Sequence, residues 1–255
     1  MIPKIIHYCW FGRKPLPLNY QNYMKSWKKK CPDYEIKCWN EDNFDVTQNI
    51  YCKEAYEHKK WAFVSDYARL KVIYEYGGIY LDTDVEVIKD LTPLITKGIG
   101  YIGFQNSEEV TTGLGFAAAP HNFCIKSMLD IYSRRRFILD NGKYNIIPCP
   151  AANTVGLMKC GLKVGYHASK IIQHLEGLDV YPEEYFNPLD ADTKQLSIFD
   201  KTYTIHWYTA SWFKASAKRK QILKKFIPKS ILEYRTKKIA RRDIRKIFHE
   251  VSYKE

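Results

Sequence analysis

A helix, a glycine pair and a short apolar strand follow one another without a loop in the first third of the chain. Apolar side chains recur at helical spacing from Trp61 to Tyr76 and predict an amphipathic helix. Gly77 and Gly78 predict its end, because glycine adopts the left-handed conformation of a helix C-terminus at little cost. The strand Ile79–Leu81 begins at once. A helix that leads directly into a buried strand is typical of an α/β domain, and this segment therefore constrains the fold class most strongly.

Further strands and helices are predicted on both sides of this segment. The predicted strands are Ile5–Trp10, Tyr34–Trp39, Gly100–Gln105, Gly113–Ala119 and Thr202–Trp207, the predicted helix is Phe123–Tyr132, and Ile147–Pro150 is predicted as a loop. Strands that alternate with helices favour one domain with a mixed central sheet. The chain is long enough to bury a core of its own, since 45% of its 255 residues are hydrophobic.

Basic residues are concentrated at the C-terminal end. Residues 213–255 contain 15 Lys and Arg against four Asp and Glu, a net charge of +11, whereas the whole chain carries +12. Two apolar stripes at helical spacing lie in this segment, separated by Pro228: Ile222, Leu223, Phe226 and Ile227, then Ile244, Ile247, Phe248 and Val251. We therefore divide the chain into a body, residues 1–212, and an extension of basic amphipathic helices, residues 213–255.

Such an extension suits an anionic membrane surface, where each nearby Lys or Arg contributes about 1 kcal/mol. The alternative is a pair of helices that pack on the body and expose a solvated basic face. Nucleic acid is not an expected partner, because the body shows no motif that reads bases.

The compartment is inferred from the cysteines and the N-terminus. Seven cysteines are scattered without a Cys-x-x-Cys pair, the first residues read as a strand rather than a signal peptide, and no apolar run reaches the ~20 residues of a membrane span. We expect a cytoplasmic protein with reduced thiols, held peripherally at the inner face of the cell membrane. A secreted disulfide scaffold is the disfavoured alternative.

Two carboxylates, Asp82 and Asp84, follow the apolar strand at positions i and i+2. Alternate residues of a strand face one side about 6.6 Å apart, so two such anions repel each other unless a cation lies between them. Hard divalent ions such as Mg²⁺ and Mn²⁺ favour carboxylate oxygens and often share them with substrate phosphates. Ligands of open α/β sheets bind beyond the carboxyl ends of the strands. The pair predicts a metal site, with a solvated turn as the alternative.

Asp66 and Arg69 lie three residues apart on one face of the preceding helix, and Ala62 lies on that face one turn earlier. The helix runs through the glycine pair into the acidic strand, so both charges can approach the same crevice as the carboxylates. A surface ion pair is the alternative for this spacing.

These residues resemble glycosyltransferase family 32, in its sugar-binding region with the DXD motif. The matching motifs are Ala62-x-x-Ser65-Asp66-x-x-Arg69 and Tyr76-Gly77-Gly78-Ile79-Tyr80-Leu81-Asp82-Thr83-Asp84, together with Ile2–Gly12 and with His206-Trp207 and Ser211-Trp212. The family includes bacterial capsule and lipo-oligosaccharide transferases and relatives of yeast mannosyltransferases, and it is similar to the catalytic domain of clostridial glucosylating toxins. The resemblance covers residues 1 to about 212 and does not extend to the basic segment.

The resemblance implies a GT-A-type nucleotide-sugar-binding domain, a divalent metal, Mn²⁺ or Mg²⁺, and transfer with retention of anomeric configuration. The resemblance implies base stacking for Trp10, contacts to sugar hydroxyls for Asp66 and Arg69, and contacts to ribose or sugar for Tyr80 and Asp82. It also implies direct metal binding for Asp84 with Asp82, and a further metal or phosphate contact for His206. Ser211 and Trp212 are implied to contact the diphosphate. Asp66, Arg69 and Asp82 are the predicted catalytic residues.

We therefore expect a glycosyltransferase that moves a hexose or N-acetylhexosamine from a UDP-sugar, or alternatively a GDP-sugar, to a glycan or lipid-linked acceptor in surface polysaccharide synthesis. A metal-dependent hydrolase of nucleotides or phosphodiesters at Asp82 and Asp84 is one alternative, although such sites often need two metals and further ligands. A non-catalytic membrane-binding protein that acts through its basic segment is the other.

Overall fold

The computed structural model describes residues 1–209 and 227–252. Its α-helices in these ranges are α1 Leu18–Lys30, α2 Ile50–Glu57, α3 Trp61–Tyr76, α4 Phe123–Ser133, α5 Cys149–Met158 and α6 Lys229–Ser252. Its strands are β1 Ile5–Cys9, β2 Glu35–Trp39, β3 Gly78–Tyr80, β4 Val85–Val87, β5 Gly100–Asn106, β6 Glu109–Thr111, β7 Phe116–Ala118, β8 Gln173–Leu175, β9 Leu178–Tyr181 and β10 Thr204–His206.

One mixed sheet organises the body. Its strands lie in the order β2-β1-β3-β7-β5-β9-β8, and β6 pairs with β5. Strand β1 runs parallel to both β2 and β3, whereas β7 is antiparallel to β3 and β5. Strands β4 and β10 form a second, antiparallel sheet of two strands. The predicted α/β fold with a mixed central sheet is confirmed.

Apolar side chains fill both faces of the main sheet, because successive residues of a strand point to opposite sides. Ile79 of β3 belongs to a core that includes Trp27 of α1 and residues of β4. Its neighbour Tyr80 belongs to a larger core that includes residues of α3, α4, α5 and α6. The strand that leads to the acidic pair is therefore buried on both faces and gives that pair a rigid support.

The strong periodic patterns predicted their elements well. Helix α3 has the predicted bounds, and the six predicted strands and the α4 helix are present with their ends moved by a few residues. The prediction of a loop over Ile147–Pro150 was wrong at its end, because Cys149 and Pro150 open helix α5. Proline fits the first turn of a helix, whose N–H groups have no partner within the helix in any case.

The C-terminal helix α6 begins directly after Pro228, and its predicted apolar stripe packs on the body. Ile244, Ile247 and Val251 of α6 are buried in the larger core. For this helix the alternative of packing on the body is therefore the observed arrangement. Most of the first predicted stripe, and the predicted boundary between residues 212 and 213, lie outside the described residues. In the described part of the chain, no helix has the length and apolar character needed to cross a bilayer.

Two charged contacts fasten α6 to the body. Arg241 donates hydrogen bonds of 3.0 and 2.9 Å to the two carboxylate oxygens of Glu108. The buried Arg135 donates a 2.9 Å hydrogen bond to Glu250 of α6. Paired and partly buried ions hold their geometry more firmly than exposed pairs, so these contacts fix the side of α6 that faces solvent.

The glycine pair makes the sharp passage from α3 to β3 possible. Gly77 has a φ of +64°, and its N–H donates to the carbonyl of Ile73 at 2.9 Å. A Cβ on Gly77 would lie 2.6 Å from Cδ of Pro120. Only glycine meets both demands without strain, and the predicted end of the helix is confirmed.

We expect Gly77→Ala to lower the free energy of unfolding by about 2–3 kcal/mol, because it adds a steric clash to an unfavourable φ. Gly98→Ala is the matched control, since Gly98 has a similar φ of +71° and nothing within 4 Å of its Cβ position. The control should lose about 1 kcal/mol. Urea unfolding of both variants measures the difference, and equal losses would show that the approach of Pro120 contributes nothing.

Candidate active site

The acidic pair lies in the turn between β3 and β4. Asp82 and Asp84 follow the last residue of β3, and the N–H of Val85 donates to the carbonyl of Asp82 at 3.0 Å. The expectation that the two carboxylates alternate on one strand was therefore wrong. A turn can aim both side chains toward one point, which a strand with a spacing of about 6.6 Å cannot do so closely.

Strand β10 brings a histidine to this turn. His206 is the register partner of Val85 in the two-stranded sheet, and the N–H of Trp207 donates to the carbonyl of Asp84 at 3.0 Å. The side chains of Asp82, Asp84 and His206 then offer one ligand atom each, all within 4.8 Å of one another. We call these three residues the ligand cluster. The pairing of β4 with β10 therefore joins positions that are 122 residues apart in the sequence.

Asp84 is the most tightly held member of the ligand cluster. Its Oδ1 lies 3.2 Å from Nε2 of His206, and both side chains are only 13% exposed. Its Oδ2 accepts a 2.9 Å hydrogen bond from the N–H of Thr209, whose hydroxyl lies 3.0 Å away. Burial alone would raise the pKa of Asp84, but His206 and Thr209 outweigh it and hold that pKa well below its ordinary value. Asp84 is therefore ionised at neutral pH.

The ligand cluster suits a divalent cation. Two carboxylates and an imidazole are a common donor set for such ions, and the Nε2 atom of His206 already points at an anion. Asp84 raises the pKa of His206 against the opposing effect of burial, so a bound cation would take the place of a proton that the anions otherwise attract. The Nδ1 atom of His206 is buried and has no hydrogen-bond partner among the residues that the structure describes.

Helix α3 supplies a second charged group next to the ligand cluster. Nη2 of Arg69 lies 3.0 Å from Oδ1 of Asp66 and 3.5 Å from Oδ1 of Asp82. The side chains of Arg69 and Asp66 are 5% and 10% exposed, so the alternative of a surface ion pair is excluded. The predicted meeting of both charges with the acidic pair in one crevice is confirmed. We call Asp66, Arg69 and Asp82 the buried ion triad.

Burial and Arg69 act in opposite directions on the triad carboxylates. Burial raises the pKa of Asp66 and of Asp82, and the guanidinium of Arg69 lowers both pKa values, although burial prevails. Tyr80 donates a 3.0 Å hydrogen bond to Oδ1 of Asp82 and so stabilises its ionised form. The triad thus presents a fixed pattern of donors and acceptors of the kind that sugar hydroxyls can join.

Several residues that contact the triad were not predicted. The hydroxyl of Thr112 accepts hydrogen bonds from Nη1 of Arg69 at 3.4 Å and from Nδ2 of Asn153 at 3.0 Å. Cys149, the first residue of α5, lies with its Sγ 4.0 Å from the same hydroxyl. No spacing in the sequence links these residues, because the contacts arise only when α5 packs beside β6. Thr209 was also missed, although a short polar residue two positions after a predicted strand is a usable signal.

Trp10 lies at the carboxyl end of β1, outside the ligand cluster but connected to it. Its ring lies 5.6 Å from the ring of Tyr20, and the hydroxyl of Tyr20 is 3.0 Å from that of Thr209, which contacts Asp84. Trp10 also lines a polar pocket of about 430 Å³ together with Asn40 and other residues of the loop after β2. The predicted Ser211 and Trp212 lie outside the described residues, so their proximity to the cluster stays a prediction.

Residues 17–99 match the family described as "Glycosyltransferase sugar-binding region containing DXD motif". The matched segment covers about a third of the chain. It contains the whole buried ion triad together with Tyr80 and Asp84, and the resemblance inferred from the sequence is confirmed for it. Trp10 and His206 lie outside the matched segment.

Curated relatives include two proteins of Schizosaccharomyces pombe. The chain is 34% identical over 98 residues to inositol phosphoceramide mannosyltransferase 3, covering 37% of this chain and 27% of the relative. It is 26% identical over 156 residues to inositol phosphoceramide mannosyltransferase 1, covering 53% and 45%. It is 25% identical over 154 residues to "Uncharacterized glycosyltransferase L373" of Acanthamoeba polyphaga mimivirus, covering 57% and 60%. The chain thus spans from about a quarter to three fifths of the lengths of these relatives.

Two solved structures resemble the fold at low identity. The structure titled "PaToxG Glycosyltransferase" aligns with a TM-score of 0.49 and 20% identity, over 62% of this chain and 69% of that one. A glycosyltransferase involved in the glycosylation of the major capsid of PBCV-1 aligns with a TM-score of 0.42 and 12% identity, over 88% of this chain and 100% of that one.

We expect Arg69→Met to lower the free energy of unfolding by about 3–5 kcal/mol at pH 7, because two buried carboxylates lose their cation. Without Arg69 the folded-state pKa values of both carboxylates rise further above the unfolded value of about 3.9, so the loss shrinks as the pH falls toward about 4. Lys53→Met, which breaks a 3.9 Å pair with Glu57 whose side chains are 47% and 53% exposed, is the control. It should cost less than about 1 kcal/mol at either pH. If Arg69→Met lost the same free energy of unfolding at both pH values, the pairing of Arg69 with the two carboxylates of the triad would be contradicted.

Proposed function

We propose that the chain is a metal-dependent glycosyltransferase that transfers a hexose or N-acetylhexosamine from a nucleotide sugar. The observation that carries the proposal is the meeting of the ligand cluster and the buried ion triad at one turn, inside or beside the matched sugar-binding region. The two groups share Asp82, which lies between a cation site and a hydrogen-bonding site for hydroxyls.

A divalent cation is the cofactor that the ligand cluster supports. Asp84 and His206 would hold it, with Asp82 as the third contact, and it would neutralise the negative charge that develops on a departing nucleoside diphosphate. An imidazole beside carboxylates favours Mn²⁺ over Mg²⁺, because Mg²⁺ is usually held by oxygen ligands and water. Thr209 would keep Asp84 oriented whether or not the cation is bound.

The donor would extend across three neighbouring features. Its sugar would lie against the buried ion triad, where Asp66 and Asp82 accept hydrogen bonds from hydroxyls and Arg69 holds both carboxylates in place. Its diphosphate would lie at the ligand cluster. Its base would lie against Trp10, which is connected to the cluster because its ring contacts Tyr20 and the hydroxyl of Tyr20 contacts Thr209. A UDP-sugar is the first candidate and a GDP-sugar the second. Mannose belongs among the sugars to be tested, because two relatives are named mannosyltransferases.

For the acceptor we propose a glycan or a lipid-linked precursor in surface polysaccharide synthesis, and transfer with retention of configuration. Two relatives are named for inositol phosphoceramide, which is an anionic lipid. The solvent side of α6 carries many Lys and Arg residues, so a peripheral position at an anionic membrane surface would bring the protein to such an acceptor.

The hydrolase alternative gains no support, since in residues 1–209 and 227–252 the ligand cluster is the single group of three or more potential metal ligands.

The first test is the release of free nucleoside diphosphate from a panel of UDP- and GDP-sugars, including the mannose donor, with Mn²⁺ and without acceptor. We expect slow release from one donor, abolished by a chelator and reduced at least about 100-fold in Asp84→Asn, because the cation loses its principal ligand. Asp33→Asn removes an exposed carboxylate elsewhere and should leave the rate unchanged. If no donor binds in the presence of any divalent cation, the proposal is wrong.

A second test concerns Trp10. Stacking of a base on an aromatic ring contributes about 1–3 kcal/mol, so Trp10→Ala should weaken donor binding roughly 5- to 150-fold. Trp10→Phe keeps an aromatic face and should retain most of the affinity. Titration calorimetry with the donor and with the free nucleoside diphosphate measures both variants. Equal affinities in Trp10→Ala and wild type would remove Trp10 from the donor site.

A further inference from the structure

One buried cation close to the ligand cluster lacks a hydrogen-bond partner in the described part of the chain. It is the Nζ atom of Lys194, which is shielded from solvent although the residue as a whole is only half-buried. Removing an ammonium group from water costs several kcal/mol unless an acceptor replaces the lost water. An unsatisfied buried group of this kind calls for an explanation, and Lys194 belongs to none of the sequence motifs that indicated the site.

A short hairpin, residues 188–197, holds Lys194 in place. The N–H of Lys194 donates to the carbonyl of Asp190 at 2.9 Å. The side chain of Asp190 closes the turn, because its Oδ1 accepts hydrogen bonds from the N–H groups of Asp192 and Thr193 at 2.9 and 2.8 Å. Lys194 itself has a φ of +61°, a conformation that favours glycine or asparagine. The reason for a lysine here is therefore to be sought in its side chain.

The ring of Tyr208 connects Lys194 to the ligand cluster. Nζ of Lys194 lies 5.5 Å from the centre of this ring, which in turn lies 4.2 Å from the centre of the His206 imidazole. Tyr208 is held firmly, because its hydroxyl donates a 2.7 Å hydrogen bond to Asn187. Nζ is thus at most 9.7 Å from the centre of the imidazole. A diphosphate bound to a cation at the ligand cluster would extend over part of this distance, within reach of the flexible lysine side chain.

The acidic side chains around Lys194 do not compensate for its burial. Asp192, Asp84 and Asp190 raise the pKa of Lys194, but burial lowers that pKa and prevails. Asp190 is engaged by the backbone of the turn, and Asp84 by the contacts described above. The ammonium group therefore still lacks an acceptor. A phosphate oxygen supplies one, since lysine binds phosphate groups as a point charge.

A divalent cation at the ligand cluster would increase the need for an anion at this place. Asp84, the proposed main metal ligand, attracts both that cation and Lys194. The two positive charges repel each other, and a diphosphate whose oxygens contact both would remove this repulsion. Lys194 thus favours a metal ion that is bound together with a diphosphate over a metal ion that is bound alone.

We propose that Lys194 contacts the diphosphate of the nucleotide-sugar donor and stabilises it as a leaving group. This inference rests on the proposed glycosyltransferase function and adds to it a residue that binds the donor. When the bond between the sugar carbon and the diphosphate oxygen breaks, its electron pair stays on that oxygen, and the contact with Lys194 strengthens. The sugar carbon bonds to an oxygen of the acceptor, or of water in its absence, and the proton of that oxygen passes to solvent.

The test compares two kinds of binding in the full chain: Mn²⁺ alone, and UDP or GDP in the presence of Mn²⁺. Lys194→Met keeps most of the side-chain length and removes the charge. Titration calorimetry should show that the diphosphate preferred by wild type binds at least about tenfold more weakly to Lys194→Met. The affinity for Mn²⁺ alone, measured by electron paramagnetic resonance, should stay the same or rise, because a repelling cation is removed. A loss of structure would instead weaken both.

Lys59→Met is the matched control. Lys59 has a similar φ of +56°, but it is exposed in the connection between α2 and α3. Both affinities of this variant should stay within about twofold of wild type. Lys194→Arg keeps a cation and should bind the diphosphate within about fivefold of wild type. At saturating donor without acceptor, Lys194→Met should release nucleoside diphosphate at least about tenfold more slowly than wild type, and Lys59→Met at the same rate.

Three results would overturn the proposal. Equal affinity of wild type and Lys194→Met for the diphosphate would remove Lys194 from the donor site and leave the proposed function intact. Parallel weakening of Mn²⁺ alone and of the diphosphate would give Lys194 a structural role only. If wild type bound neither UDP nor GDP in the presence of Mn²⁺, the proposed function would fail and this inference with it.

Discussion

The buried ion triad is the interaction on which the rest of the site depends. Arg69 is a fully charged side chain taken out of water, a transfer that costs several kcal/mol unless the charge is paired. It is paired with Asp66 on its own helix and with Asp82 in the turn after β3. One guanidinium therefore ties the helix that precedes the central strand to the turn that follows it. Both carboxylates are thus tied to this single cation, which also donates a 3.4 Å hydrogen bond to Thr112.

Backbone geometry brings the triad and the ligand cluster together. The positive φ of Gly77 turns the chain from α3 into β3 within two residues. Asp66 therefore lies on the helix before this turn, and Asp82 lies just after the strand that follows it. The pairing of β4 with β10 then carries His206 to the same turn from far along the chain. Backbone conformation and strand pairing thus bring the elements together, and Arg69 fixes the side chains of Asp66 and Asp82 within that frame.

The local part of this arrangement could be predicted from the sequence, and the distant part could not. Helix α3, its glycine end and the proximity of Asp66, Arg69 and Asp82 follow from spacing within 20 residues. The partners Thr112 and Asn153 are brought in by packing, which no periodicity encodes. Elements such as α1 and α5 were missed because their apolar residues are few or follow a proline, so the core, and not propensity, decides them. The prediction for His206 came from resemblance to a family and not from any pattern around it.

The two carboxylates of the acidic pair differ in their surroundings although they are two residues apart. Asp82 faces a permanent cation, Arg69, and a phenol, Tyr80, and burial raises its pKa. Asp84 faces an imidazole and an N–H donor, and its pKa is held low. A divalent cation at this turn would therefore meet Asp82, whose charge is already neutralised by Arg69. It would also meet Asp84, whose partner His206 can give up its proton. The asymmetry supports the proposal that Asp84 is the main metal ligand and that Asp82 contacts hydroxyl groups, a division of roles that suits a sugar linked to a diphosphate.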